Sequence, residues 1–331
     1  MTYMRVADWE ELPSRRVATN GIELEVTEYG EGPAVVLCHG FPELAFSWRH
    51  QVVALAAAGY RVLAPDMRGY GGSSRPADPA AYDILTIAGD LTGLLDDIGE
   101  REAVFVGHDW GAAVAWQLAL AHPGRVRAVA GLSVPIAPRP PVPPVLILRN
   151  RLGDDFYMVW FQEPGIADAV LNRDVRRTLL AGGLSASAWS EGSPSLRPFM
   201  AEEELAIFVR TFEQTGFTGG LNYYRNIDRN WALTEHLAGR TIDCPSLFLT
   251  GSDDPVARFM PADDLTAVLT DLREHIVLAG AGHWVQQERP EEVSEALIRF
   301  IRSALLGFSY GRRAHRPVSL RRRQDRGGIR H

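Results

Sequence analysis

Short, continuously apolar runs, each followed by a segment with helical spacing, are the feature that most constrains the fold of this chain. In its first half the runs are residues 34–38, 61–64 and 103–106. They are strand-length, rich in Val and Leu and do not alternate in polarity, as is typical of strands buried on both faces. The helical segments that follow them are residues 44–58, 87–98 and 111–122, with a further strand predicted at 126–132. This alternation predicts a mostly parallel sheet flanked by helices, the α/β class.

The segment that precedes these runs contains a signal for a β-hairpin at one edge of the sheet. Asn20-Gly21 lies between two strand-like stretches within residues 17–32. Asn-Gly is the strongest short hairpin signal, because both residues tolerate positive φ. Antiparallel strands are therefore expected at this edge.

A cluster of prolines interrupts the pattern in the middle of the chain. Six prolines lie between Pro135 and Pro144, and proline is excluded from helix interiors and central strands. Beyond them the readable elements are helical, at residues 165–180 and 202–215. We therefore predict an inserted helical lid.

Strand-type runs return at residues 245–250 and 274–278, and a last helix is predicted at 290–306, with its proline in the first turn. The expected domain organisation is a first part of the core at 1–137, a lid at 138–240, a second part of the core at 241–308 and a basic, disordered tail at 309–331.

Composition and charge exclude several classes of protein. The chain has 331 residues, 46% of them hydrophobic and 23% charged, which is ordinary for a soluble globular protein. The net charge is −7, which disfavours a role in binding nucleic acid. Residues 311–331 contain eight Arg and one Asp, a short basic run that is more typical of a solvated end than of a binding site.

Cysteine usage and hydropathy indicate a cytoplasmic protein. Cys38 and Cys244 each lie beside an apolar run that is expected to be buried, so neither a disulfide framework nor a zinc site is supported. Residues 1–16 contain no continuous apolar stretch like that of a secretory signal, and no window of about 18 apolar residues could span a membrane.

The strongest chemical signal is Gly107-His108-Asp109-Trp110-Gly111, between a predicted buried strand and a helix. Small residues at the two outer positions are typical of a nucleophile elbow, in which a strained turn projects the central side chain above the sheet. The central residue is Asp109, so attack on carbon would form an ester of the enzyme, which water must cleave. The alternative is an ordinary strand-to-helix turn in which Asp109 caps the helix.

Partners for Asp109 occur later in the chain, in the order that this architecture uses. Asp253 and Asp254 follow one predicted strand, and His283 follows the next. Because the carboxyl ends of parallel strands meet at one edge of a sheet, these side chains are expected to converge on Asp109. Of the two aspartates, we choose Asp254 as the partner of His283.

An oxyanion hole is predicted from His39-Gly40-Phe41-Pro42-Glu43, directly after the first parallel strand. The backbone N–H groups of Phe41 and Trp110 would hold the oxyanion that forms when water attacks the Asp109 ester. A cis bond before Pro42 would aim Phe41, whereas an ordinary tight turn is equally compatible with the sequence.

These motifs resemble the α/β-hydrolases of the epoxide hydrolase type over about residues 23–308. Haloalkane dehalogenases share most of them. The resemblance to epoxide hydrolases extends to two lid segments, residues 155–165 and 221–226, that bring a pair of tyrosines over the epoxide in that family. It implies that Tyr157 and Tyr224 are this pair, although Tyr223 adjoins the second. Trp160 departs from the family pattern, since another aromatic residue is common there.

The chemistry of these side chains is consistent with the activity that the resemblance implies. Opening an epoxide at neutral pH needs a donor aimed at its oxygen, and a phenol with a pKa of about 10 can donate without first ionising. A halide needs no proton but does need N–H donors, which Trp110 and Trp160 could supply. Haloalkane dehalogenation therefore remains the alternative activity, and a non-catalytic small-molecule receptor on the same fold is the alternative of another class. An acyl hydrolase is disfavoured, because no Ser occupies the elbow.

The expected reaction needs no cofactor and no metal, and its partners are a hydrophobic epoxide and water. A homodimer is compatible with the sequence. The loop at residues 66–73 contains three glycines but no Lys or Gly-Lys-Thr pattern, so we interpret it as structural rather than phosphate-binding. The residues expected to line an apolar substrate cavity are Phe41, Trp110, Phe156, Trp160 and Trp284.

Overall fold

The computed structural model describes residues 4–192 and 199–311, with side chains described as far as residue 306. One eight-stranded sheet dominates the described part of the chain. Its strands are β1 (Ser14–Thr19), β2 (Ile22–Tyr29), β3 (Ala34–Cys38), β4 (Arg61–Pro65), β5 (Ala103–His108), β6 (Val126–Leu132), β7 (Ser246–Gly251) and β8 (Leu272–Leu278).

The spatial order of the strands is β1-β2-β4-β3-β5-β6-β7-β8. All pairs from β4 onwards are parallel, whereas β1 pairs with β2, and β2 with β4, in antiparallel fashion. The hairpin prediction is confirmed, since Thr19 pairs with Ile22 across Asn20 and Gly21, which both have positive φ. The sheet is therefore mostly parallel with an antiparallel edge.

Helices cover both faces of the sheet. Their bounds are α1 (Val6–Glu10), α2 (Arg49–Ala57), α3 (Ile84–Asp97), α4 (Trp110–Ala121), α5 (Pro144–Leu152), α6 (Tyr157–Trp160), α7 (Ile166–Arg173), α8 (Val175–Leu180), α9 (Ala186–Ser190), α10 (Glu202–Thr215), α11 (Thr218–Arg225), α12 (Ile227–Leu233), α13 (Leu265–Val268), α14 (Val285–Glu288) and α15 (Pro290–Gly311). Short 3-10 turns occupy 45–48, 79–82, 123–125, 235–237 and 255–258.

The sheet separates two apolar cores. On one face, α3 and α4 pack through residues such as Leu91 and Leu118, which are fully buried. On the other face, α2 and α15 pack through residues such as Leu55 and Phe300, which are equally buried. Burial of a side chain of this size contributes about 1.5–3 kcal/mol each. Because helices cover both faces of the sheet, the central strands are apolar and do not alternate in polarity.

The helices α5 to α12 all lie between β6 and β7, and we use the term lid for residues 138–240, which contain them. One lid prediction is wrong: residues 165–180 form two helices rather than one. Asp174 is extended, with φ −148°, and its side chain accepts a hydrogen bond from the N–H of Arg177, so it ends α7 and caps α8. The last helix continues to Gly311, five residues beyond its predicted end. The rest of the predicted tail, residues 312–331, lies outside the described residues.

Candidate active site

Asp109 lies in a strained turn between β5 and α4. Its φ is 51° and its ψ −120°, and its side chain makes no capping hydrogen bond to α4. The interpretation of Asp109 as a simple helix cap is therefore wrong. A Cβ at Gly107 would overlap the carbonyl oxygen of Gly111, and a Cβ at Gly111 would overlap that of Cys38. The two glycines are thus needed for the chain to turn this sharply.

One backbone N–H group contacts the Asp109 carboxylate, and a second belongs to the next residue in the chain. The N–H of Phe41 donates to Oδ1 of Asp109 at 2.8 Å. Trp110 is the first residue of α4, a position where the N–H has no acceptor within the helix and the helix dipole is positive. The peptide bond between Phe41 and Pro42 is cis.

His283 lies between two carboxylates. Its Nδ1 is 3.1 Å from both carboxylate oxygens of Asp254, and its Nε2 is 3.5 Å from Oδ2 of Asp109. The neighbouring Asp253 is turned outwards and accepts from the hydroxyl of Ser252. Asp254 is buried, and its Oδ1 also accepts from the N–H of Val256. The structure thus brings together the three side chains that the sequence predicted.

The electrostatics of this group favour a charged imidazole. Burial alone would lower the pKa of His283, but Asp254 and Asp109 together raise it to about 10. Burial alone would raise the pKa of Asp254, but the facing imidazole and the Val256 N–H hold it below its ordinary value. At neutral pH the site therefore contains an imidazolium between two carboxylates.

Three side chains hold the His283 loop in place, and the sequence alone assigned none of them a role. The carbonyl oxygen of His283 accepts from Nε2 of His108 and from the hydroxyl of Ser133, both at 2.7 Å. The N–H groups of Gly282 and Trp284, on either side of His283, donate to the Glu288 carboxylate at 2.7 and 3.1 Å. The loop is thereby fixed on both sides. His108 directly precedes Asp109, which is the one signal in the sequence that could have found it.

Two lid tyrosines lie over Asp109. Tyr157 is the first residue of α6, Tyr224 lies near the end of α11, and their ring centroids are 5.8 Å apart. Burial, together with the negative charge of Asp109, raises the pKa of both phenols well above the ordinary value, so both stay protonated at neutral pH. Tyr223 points elsewhere, because its hydroxyl donates to the carbonyl oxygen of Arg68 at 2.8 Å.

Gln162 joins the two tyrosine segments. Its Nε2 donates to the carbonyl oxygens of Met158, in α6, and of Tyr224, in α11, at 2.7 and 2.9 Å. Because one amide group contacts both segments, it fixes the distance between the two phenols. Gln162 lies within the motif that carries the family resemblance, but the sequence alone assigned it no function.

A cavity of about 440 Å³ lies between the sheet and the lid. Its lining includes Asp109, His283, Tyr157 and Tyr224, together with Phe41, Trp284, Trp189 and Phe199. Of the five residues predicted to line it, Phe41 and Trp284 do so, whereas the other three do not. Phe156 packs behind Tyr157 at 4.9 Å between ring centroids, and Trp160 packs on Phe161 at 5.3 Å. Aromatic content alone does not distinguish a lining residue from one that supports it.

A larger cavity of about 720 Å³ lies beside the proline-rich segment, and Trp110 lines it instead. Asp109 and His283 are both absent from its lining, so we do not take it as the site of chemistry. In the parts of the chain that the structure describes, no group of three or more His, Cys, Asp or Glu side chains is arranged to hold a metal ion. No helix in those parts combines the length and apolar character needed to cross a membrane.

Comparisons with known proteins agree with this fold and site. A family model for the α/β-hydrolase fold matches residues 33–290. Epoxide hydrolase A of Mycobacterium tuberculosis is 52% identical over 310 residues, which are 87% of this chain and 96% of that protein. Epoxide hydrolase 1 of Siraitia grosvenorii is 40% identical, over 88% and 99% of the two chains. A crystal structure of epoxide hydrolase A from Mycobacterium thermoresistibile superposes with a TM-score of 0.84 at 51% identity, covering 88% and 98%.

The sheet topology, the elbow and the matched family model define the class of this protein as an α/β-hydrolase. With relatives this similar over nearly their whole length, the chain belongs to the epoxide hydrolases within that family.

Proposed function

We propose that this protein converts a hydrophobic epoxide to a vicinal diol through a covalent ester on Asp109. The observation that carries the proposal is the cavity in which Asp109, the His283 ring and two phenols face one another. A carboxylate, a base and paired proton donors are the groups that two-step opening of an epoxide needs. The names of the relatives point to the same reaction.

In the first step, Oδ2 of Asp109 attacks one epoxide carbon, and the bond from that carbon to the epoxide oxygen breaks. Oδ2 is assigned as the nucleophile because Oδ1 already accepts from the Phe41 N–H. Tyr157 and Tyr224 donate hydrogen bonds to the departing oxygen, and one of them transfers its proton to it, which gives a hydroxyalkyl ester and a tyrosinate. Their raised pKa values keep both phenols protonated for this task.

In the second step, His283 takes a proton from water, and the resulting hydroxide attacks the carbonyl carbon of the ester. Oδ1 becomes the oxyanion, held by the N–H groups of Phe41 and Trp110. The tetrahedral intermediate then expels the diol oxygen, which takes up the proton of the added hydroxyl group, and the Asp109 carboxylate and the His283 imidazolium are restored. Asp254 fixes the imidazole tautomer and stabilises the imidazolium.

The order of the two steps follows from the charge on Asp109. In the free enzyme His283 is protonated between two carboxylates, with a pKa of about 10, and cannot act as a base at neutral pH. Esterification removes the charge of Asp109, which is one of the two groups that raise this pKa. The imidazolium can then release its proton, which restores the tyrosinate to a phenol, and the neutral imidazole can accept a proton from water. Hydrolytic activity therefore arises only once the ester has formed.

The alternatives lack a specific supporting observation. Haloalkane dehalogenation would need Trp160 as a second halide donor beside Trp110, and Trp160 lies outside the cavity lining. A non-catalytic receptor would not require the 3.1 Å contacts between His283 and Asp254. Epoxide hydrolysis accounts for both lid tyrosines as well as for the three groups on the sheet.

The direct test is an assay of the purified protein with an aryl epoxide and a 1-haloalkane in parallel, following release of diol and of halide. Diol without halide is expected. Halide without diol would overturn the assignment of the tyrosines, and absence of both products would favour the receptor.

Our remaining proposals concern the whole chain. The domain division given above, with residues 138–240 as the lid, rests on the position of α5 to α12 between β6 and β7. A cytoplasmic location is supported by Cys38 and Cys244, which are both free thiols. We also propose that the reaction uses only water and substrate, without cofactor or metal. A homodimer remains compatible with the sequence.

A further inference from the structure

A chain of buried hydrogen bonds starts at the carbonyl oxygen of His283 and leads away from the cavity. His108 donates from Nε2 to that oxygen at 2.7 Å, and its Nδ1 contacts Oε2 of Glu43 at 2.6 Å. Oε1 of Glu43 accepts from the side-chain amide of Gln287 at 3.1 Å. His108, Glu43 and Gln287 are all at most 3% exposed.

The contacts of each side chain determine which atoms in this series of hydrogen bonds carry a proton. A carbonyl oxygen only accepts, so Nε2 of His108 carries a proton. Burial would oppose ionisation of Glu43, but His108 and His39 lower the pKa of Glu43 to about 2. Glu43 is therefore a carboxylate, which accepts the hydrogen bond from Nδ1 of His108.

At its far end the chain reaches the lid. The Arg49 guanidinium, in α2, donates from Nη1 to Oε1 of Gln287 at 2.9 Å and from Nε to Oε1 of Glu204 at 2.7 Å. Glu204 lies in the first turn of the lid helix α10. The Arg49 side chain is completely buried, and that of Glu204 is only 13% exposed. One guanidinium thus contacts the lid and the catalytic chain of hydrogen bonds at the same time.

We propose that Arg49 is a positioning residue that couples the placement of lid helix α10, through Glu204, to the placement of the His283 loop. The hydrogen bonds of this series are between 2.6 and 3.1 Å long, and each side chain in it contacts the next, so a displacement at one end shifts the next group. Lysine could not replace Arg49 here, because a single ammonium nitrogen lacks the planar fork that reaches both acceptors. The coupling makes the hydrolytic step sensitive to how the lid is seated.

The kinetic test of this proposal rests on the proposed function. It compares the wild-type protein with the variant Glu204→Gln. Rates of ester formation and of ester hydrolysis are measured separately in single-turnover experiments. Hydrolysis depends on His283 and is expected to fall by about tenfold, within the range for residues that act through a network. Ester formation uses Asp109 and the tyrosines and is expected to change less than twofold. Equal losses in both steps would indicate general loosening of the lid and would overturn the proposal.

Glu202→Gln is the matched control, since Glu202 lies on the same helix but pairs with Arg176, within the lid. Neither rate should change in it. A second arm combines Glu204→Gln with Gln287→Leu. If both residues act through one series of hydrogen bonds, the double variant should hydrolyse the ester no more slowly than the slower single variant. A loss in the hydrolysis rate equal to the product of the two single losses would contradict the coupling. Arg49→Lys should match Glu204→Gln.

A third arm is independent of substrate, so failure of the proposed function and failure of this inference can be told apart. The N–H protons of His108 are observed by NMR in the resting protein labelled at histidine nitrogen. Glu204→Gln should shift the Nδ1–H resonance, and Glu202→Gln should leave it in place. An unshifted resonance in Glu204→Gln would overturn the coupling even if the wild-type protein hydrolyses epoxides.

Discussion

Nε2 of His283 lies 3.5 Å from Oδ2 of Asp109, the same oxygen that we assign as the nucleophile. This separation has two consequences. In the free enzyme the imidazolium stabilises the carboxylate that must attack. After attack, the same nitrogen is placed beside the ester, where it can remove a proton from a water molecule. One geometry thus serves both steps of the proposed reaction.

Replacing the lid phenols should slow ester formation. Tyr157→Phe and Tyr224→Phe each remove one donor to the epoxide oxygen, and we expect losses of about 10- to 100-fold singly and up to about 10⁴-fold together. Single-turnover rates of ester formation measure this. Tyr223→Phe is the control, because that hydroxyl donates to the Arg68 carbonyl, and its rate should stay within twofold. Full activity of the double variant would argue against epoxides as substrates.

Asp254→Asn should slow ester hydrolysis by about 10²-fold or more. The variant removes the carboxylate that holds Nδ1 of His283, and the pKa of His283 falls toward its ordinary value. Asp253→Asn provides a neighbouring control, since Asp253 contacts only Ser252 among the hydrogen bonds described for its side chain. An equal effect of the two substitutions on the hydrolysis rate would show that the choice of Asp254 is wrong.

The stability of the protein should fall as pH rises above 7. His283 has a pKa of about 10 when folded and about 6.5 when unfolded, so the folded state holds one more proton between these values. Its stabilising contribution is complete below pH 6.5 and is lost as pH rises through 10. The free energy of unfolding should therefore decrease by about 2 kcal/mol between pH 7 and 8.5.

Denaturant titrations at several pH values measure this decrease, and His283→Gln should show a much flatter profile. The chain contains no lysine. Burial raises the pKa of Cys244 from 9.0 to about 12, so this thiol lowers the stability mainly above pH 9, beyond the interval compared. If the free energy of unfolding falls equally steeply with pH in the wild type and in His283→Gln, a protonated His283 between two carboxylates is contradicted.

Gly107→Ala should destabilise the elbow by about 2 kcal/mol or more, because the added methyl group would overlap the carbonyl oxygen of Gly111. Gly124→Ala is a suitable control, since its φ is ordinary and no atom lies within 4 Å of the added carbon. The midpoint of thermal unfolding and residual turnover are the measurements. Native stability of Gly107→Ala would show that the turn is less constrained than its geometry indicates.

Local sequence signals predicted the sheet well. The runs at 34–38 and 126–132 coincide with β3 and β6, and Asn20-Gly21 forms the predicted turn. Apolar strands and turn residues act over a few neighbouring positions, so sequence patterns capture them. The chain order of elbow, acid and histidine also predicted the grouping in which His283 contacts both Asp109 and Asp254.

The lid was less predictable for physical reasons. Helices such as α6 and α9 are four and five residues long, too short for a helical period to be read. Whether an aromatic residue such as Phe156 lines the cavity or packs behind Tyr157 depends on tertiary packing. The contacts of His108 with Glu43 and with the His283 carbonyl join residues 65 and 175 positions apart, and no local pattern signals them.

The central claim is the covalent ester on Asp109, and trapping it is the most direct test. His283→Gln should react with an epoxide and then stall, because no base activates water for the second step. Mass spectrometry of the digested protein should then show an increase equal to one substrate on the peptide that contains Asp109, and Asp109→Ala should show none. Steady turnover by Asp109→Ala, or no mass increase in His283→Gln after incubation with a substrate that the wild type converts, would contradict the account.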